Sequence, residues 1–100
     1  MMKKGKQRPY LFTEALSEEV NDAFKNFASE IMKDSILTSK DKSLIALACA
    51  VAIKCEYCIK AHKENAISAG ATMDEIKEAA AVASQVSLGS GLSFASFVLD

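Results

Sequence analysis

One octapeptide carries most of the chemistry this chain can offer. Cys55-Glu56-Tyr57-Cys58-Ile59-Lys60-Ala61-His62 places two thiols at CxxC spacing and the only histidine four residues after the second. At about 100° per residue, a helix brings Cys55, Cys58 and His62 within roughly 60° of one another on a single face. Ile59, Ala66 and Ala69 share that face, whereas Glu56, Lys60 and Glu64 project elsewhere. The trio stands near the start of its helix, where free backbone N–H groups and the macrodipole favour a thiolate. His62, one turn past Cys58, can accept its proton or pair with the thiolate. Cys55, three residues before Cys58, is close enough to form a disulfide once Cys58 has been oxidised to a sulfenic acid. The spacing points to two-electron thiol chemistry on a peroxide or a disulfide, reset by a dithiol reductant, with no cofactor. Zinc binding is the alternative, but Cys55, Cys58 and His62 supply three ligands where zinc takes four. Cys49, inside an apolar run, is expected to act as a small core hydrophobe.

The elements that must position these groups read as helices. Residues 1–12 form an N-terminal arm, with Pro9-Tyr10-Leu11-Phe12 as an extended lead-in. Ser17 is an N-cap followed by Glu18 and Glu19. Val20, Phe24, Phe27 and Ile31 then recur at helical steps, in a helix that stops near Lys33 or Asp34. Thr38 or Ser39 caps a second helix. Every residue from Leu44 to Ile53 is apolar, and the alanine content favours a helix buried all round. A third helix runs from about Glu56 to Ala69 and ends at Gly70. Thr72 and Glu75 form a capping box for a fourth, which Gly89-Ser90-Gly91 breaks before a short fifth helix over Leu92–Leu99. The expected fold is all-α, a single domain of about five helices over residues 13–100.

This pattern resembles the carboxymuconolactone decarboxylase and alkylhydroperoxidase D-like superfamily. The resemblance runs from Ser43-Leu44-Ile45-Ala46-Leu47-Ala48 through Cys55-x-Tyr57-Cys58-x-x-x-His62 to Ala69-Gly70-Ala71-Thr72-x-x-Glu75-Ile76. The paired cysteines mark the peroxidase-like branch. The resemblance implies a helical subunit assembled into trimers or hexamers. It also implies a hydroperoxide or disulfide reductase in which Cys58 attacks the peroxide, Cys55 resolves it, and His62 belongs to a proton relay. Two positions depart from the pattern. Ser43 stands where the relay usually has a glutamate, and Tyr57 stands where some peroxidases have a histidine between the cysteines. His62 would then be oriented by Ser43 through water, by a carboxylate such as Glu14, Glu18 or Glu56, or not at all. A disulfide reductase without efficient peroxidase activity and a lactone decarboxylase-type enzyme are the other activities compatible with this scaffold.

Composition narrows the partners. The chain has 100 residues, half of them hydrophobic, and a formal net charge of −1. That balance lacks the basic excess of a nucleic-acid-binding protein. Four of its basic residues, Lys3, Lys4, Lys6 and Arg8, fall in the first ten positions and read as a solvated arm. No apolar h-region follows that arm, and the run Leu44–Ile53 is about half the ~20 residues of a transmembrane helix. With no export signal, thiols in proximity point to a cytoplasmic redox protein that does not touch a membrane. Half the residues being apolar is more than one small subunit can hide, so a homo-oligomer is expected, with Tyr57, Phe94 or Phe97 lining a pocket or an interface.

Overall fold

In the computed structural model, which describes residues 8–100, five α-helices follow one another and end in a 3₁₀ turn. They are α1 (Arg8–Leu16), α2 (Glu18–Met32), α3 (Ser39–Ala52), α4 (Glu56–Ser68) and α5 (Met73–Ala95), with the 3₁₀ turn over Ser96–Leu99. No strand occurs among the described residues, so the all-α expectation holds. The chain divides after Ser39 into two compact units.

In the first unit, Arg8–Phe12 is helical rather than an extended lead-in. Pro9 sits in the first turn, where its preset φ suits a helix and its missing N–H costs nothing. The expectations for Lys3, Lys4 and Lys6 lie outside the described residues. Ser17 joins the two helices in extended backbone, and its hydroxyl accepts the Val20 N–H at 3.0 Å. Tyr10 and Phe24 stack 5.4 Å apart with the Lys25 ammonium over the Tyr10 ring. Asn21 is buried, and its carbonyl accepts a 2.7 Å bond from Thr13 Oγ1. That bond satisfies a polar group that would otherwise oppose burial. Of the α2 stripe only Phe24 is half-buried, while Val20, Phe27 and Ile31 are exposed.

In the second unit the core is Leu47, Ala66, Ala71 and Ile76, with Leu44 and Ile59 packed against it. Leu47 and Ile76 supply the buried bulk, and Ala66 and Ala71 let the backbones approach closely around them. The apolar run of α3 is not buried all round. Ser43, Leu47 and Ala50 face inward, but Ile45 is exposed, and so is Cys49, contrary to its expected core role. One short chain has too few elements to cover every side of such a helix.

Each turn of this unit is chemically specified. α4 ends in a Schellman motif: Gly70 takes φ +100°, its N–H bonds Ile67 O, and the Ala71 N–H reaches back to Ala66 O. Thr72 then forms the capping box of α5, with the Glu75 N–H donating to Thr72 Oγ1 and the Thr72 N–H to Glu75 Oε1. The other Glu75 oxygen accepts from Lys40 Nζ at 2.9 Å, tying the start of α5 to the start of α3.

α5 is the largest departure from expectation. It runs unbroken through Gly89 and Gly91 for 23 residues. Glycine costs only about 1 kcal/mol against alanine inside a helix, and neither of these two adopts a positive φ. Two weak positions do not outweigh a register that continues on both sides. Residues 79–99 contain no charged side chain, and only Ile76 and Ala83 of α5 are buried. The stretch Met73–Leu99 is therefore long and apolar enough to cross a membrane by length and composition.

Candidate active site

The candidate site is built by the junction of α3 and α4. α3 ends in its own Schellman-type turn: the Lys54 N–H bonds Val51 O, and the Cys55 N–H reaches back to Ala50 O. Lys54 occupies the left-handed position at φ 60°, where a non-glycine residue is strained by roughly 1–2 kcal/mol. The reversal is so tight that Cys55 both closes α3 and opens α4. It is the N-cap of α4, with extended backbone at φ −98°, ψ 97°. Its Sγ accepts the Cys58 N–H at 3.2 Å, the role a serine or aspartate oxygen plays in an ordinary cap.

Cys55 and Cys58 are joined by a disulfide, with Cα atoms 5.2 Å apart. Both are half-buried, so the pair is neither sealed in the core nor fully open. Ala61 and Ala66 seat the inward face of α4. Glu56 instead turns outward and pairs with Lys60 at 3.0 Å, which leaves it unavailable to orient His62.

His62 follows Cys58 by one turn, and its ring is partly withdrawn from solvent. Its Nδ1 is buried and has no hydrogen-bond partner. Burial pushes the imidazole below its ordinary pKa of 6.5, because removal from water penalises the charged ring. Burial therefore favours the uncharged imidazole, whose buried Nδ1 stands without a hydrogen bond. Ser43 is buried on α3 at 2% exposure and does not bond Nδ1. Glu14 and Glu18 belong to the first unit. Tyr57 is half-buried. Phe94 and Phe97 pair edge to face at 5.8 Å near the end of the chain and are both exposed.

Among the described residues, no group of three or more His, Cys, Asp or Glu side chains is placed to hold a metal. Two features escaped sequence reasoning, the strained Lys54 and the capping role of Cys55. The signal for both was the shortness of the interval between Ile53 and Glu56, with no glycine in it to take the left-handed position.

An all-helical domain with a CxxC disulfide at the head of one helix is the class that the fold and the site define. Within that class the chain belongs to the carboxymuconolactone decarboxylase family, which it matches over residues 18–100. It is 32% identical over 87 residues to "Uncharacterized protein 4 in cox locus" of Paracoccus denitrificans, covering 87% of this chain and 78% of that one. It is also similar to a protein of Methanobacterium thermoautotrophicum known from a crystal structure. That similarity has 42% identity and a TM-score of 0.80, and it covers 89% of this chain and 96% of the other.

Proposed function

We propose that the chain is a thiol-dependent oxidoreductase that cycles between a Cys55–Cys58 disulfide and two thiols and reduces hydroperoxides. The observation that carries this reading is the disulfide itself, one turn wide and half-buried at the N-terminus of α4. In the reaction, the Cys58 thiolate attacks the terminal peroxide oxygen. The O–O bond breaks, the alkoxide takes a proton to leave as alcohol, and Cys58 becomes a sulfenic acid. The Cys55 thiolate then attacks that sulfur, the S–S bond forms, and hydroxide leaves as water. A dithiol reductant restores both thiols by exchange.

His62 and Ser43 favour a second reading within the same chemistry, a disulfide reductase with slow peroxide turnover. An unsupported, uncharged imidazole is a poorly held proton carrier, and Ser43 brings no carboxylate to it. We also propose that the protein acts in the cytoplasm as a homo-oligomer, a trimer or hexamer. Further copies, rather than lipid, would cover the uncharged surface of α5.

Peroxide consumption by wild type, Cys58→Ser and Cys55→Ser tests the proposal. The expected result is loss of activity in Cys58→Ser and a sulfenic acid trapped on Cys58 in Cys55→Ser. Equal background rates in all three proteins would remove the peroxidase reading. Turnover of a small disulfide substrate by wild type alone would then support the second.

A further inference from the structure

We propose that α5 pairs with α5 of a second copy, the two helices running antiparallel along a seam of Ala81, Gln85, Leu88, Leu92 and Ala95. This pairing rests on the homo-oligomer reading above and says which surface closes the assembly. The five residues recur at steps of four, three, four and three. That alternation is the repeat of about 3.5 residues that keeps one side of a helix against a neighbour over several turns. At about 100° per residue, the five fall within roughly 80° of one another. The inward side of α5 is marked by its buried residues, Ile76 and Ala83. The seam lies between about 100° and 180° from Ile76, on the side turned away from the core. All five side chains are exposed within the subunit, and Leu88 and Leu92 are each 64% exposed. A helix that needed only its own subunit has no use for a leucine seam on its outer side.

The occupant follows from what the seam lacks and from how it matches itself. Residues 79–99 carry no charged side chain, so a strongly charged partner would lose hydration there and find nothing to pair with. Lipid needs no alternating spacing, and it would leave the Gln85 amide in hydrocarbon without a partner. A second α5 fits on both counts. With Ser90 of the two antiparallel copies level, Leu88 of each meets Leu92 of the other, and Gln85 of each lies across Ala95 of the other. Leucines then meet in the middle of the seam, and a long side chain faces a short one toward either end, where the amide reaches water. Parallel helices in register would stack Ala95 on Ala95 and Gln85 on Gln85, leaving one layer loose and another crowded with two amides. The antiparallel arrangement also sets opposite ends of the two helix dipoles side by side. Such a contact uses the same patch on both copies and is closed by a two-fold axis. Three pairs of this kind build a hexamer, whereas a lone trimer has no two-fold to hold one.

Light scattering of the full chain, wild type against the double variant Leu88→Asn with Leu92→Asn, tests the pairing. Both leucines are exposed, so the variant should keep its helicity by circular dichroism. The expected result is an even number of copies in wild type and at most half that mass in the variant. An unchanged mass overturns the seam while leaving the homo-oligomer reading intact, and a wild type that is a single chain overturns both. Binding of wild type but not the variant to phosphatidylcholine vesicles would make lipid the occupant and overturn the pairing. Cross-linking tests the direction and does not depend on how the leucine variant folds. In a Cys49→Ser background with the Cys55–Cys58 disulfide left oxidised, one chain carries Gln85→Cys and another carries Ala95→Cys. After mixing and mild oxidation the two should form a mixed disulfide dimer in preference to either chain with itself. Self-linked dimers in preference overturn the antiparallel arrangement, and no cross-link in the mixture overturns the seam.

Discussion

If the Cys55–Cys58 bond is a working couple, opening it must leave the fold standing. The two cysteines are only 3 positions apart, so the cross-link closes a very short loop. The chain-entropy relation gives about 2 kcal/mol for a loop of about four residues. At about 4–8 °C per kcal/mol for a domain of this size, reduction should lower the thermal midpoint by about 8–15 °C without unfolding the protein at room temperature. Replacing Cys55 separates the cross-link from the cap. Cys55→Ser loses the disulfide but keeps an N-cap oxygen for the Cys58 N–H. Cys55→Ala loses both, and the cap is worth about 1 kcal/mol. Thermal melts followed by far-UV circular dichroism should place the Ser variant near the reduced wild type and the Ala variant about 4–8 °C lower. Identical melts for Ser and Ala would show that the Cys55 sulfur does not cap α4. Loss of helicity on reduction at room temperature would make the disulfide a structural staple and refute the reasoning.

Other consequences follow from the same geometry. Because burial lowers the His62 pKa, the folded state binds this proton less readily than the unfolded chain. Stability should therefore fall as pH drops below 6.5 toward the lower folded value, and His62→Gln should flatten that part of the denaturant-midpoint profile. Gly89 and Gly91 lie in continuous helix with nothing within 4 Å of an added Cβ. Alanine at either should stabilise the chain by up to about 1 kcal/mol, and a loss in melting temperature at both would argue for the break instead. Lys54→Gly should raise stability by about 1 kcal/mol by relieving the left-handed lysine, read as a shift in urea midpoint. Thr72→Ala should cost about 1 kcal/mol through the α5 cap, detectable in the same titration.

Much of this architecture was legible because its signals are local. Ser17, Gly70 and the Thr72–Glu75 pair each specify a helix end through one or two hydrogen bonds, and each stands where its residue type required. The CxxC pair was legible for the same reason, since three-residue spacing on or beside a helix fixes the sulfur separation. The misreadings came from judging isolated residues against weak energies. Pro9-Tyr10-Leu11-Phe12 reads as an extended lead-in for want of a helical period, yet Pro9 at a first turn is compatible with helix. Gly89 and Gly91 read as a break in the sequence, yet about 1 kcal/mol each leaves α5 intact. The burial of α3 could not be read from its composition, because the surface covered depends on how many neighbours one chain supplies. Cys49 therefore emerges exposed. Which of the open alternatives His62 takes depends on the side chains that converge from α3 and α4, and its Nδ1 is left without a partner.

The central claim is that Cys55 and Cys58 form a reversible couple rather than a permanent cross-link, and the reduction potential of the pair addresses it most directly. Equilibration in glutathione buffers, with oxidised and reduced fractions resolved by mass after alkylation, gives that potential. The account predicts a value above about −300 mV, in the range where catalytic disulfides exchange with cellular dithiols. A pair that stays oxidised throughout, with a potential well below about −300 mV, would behave as a structural disulfide and contradict it.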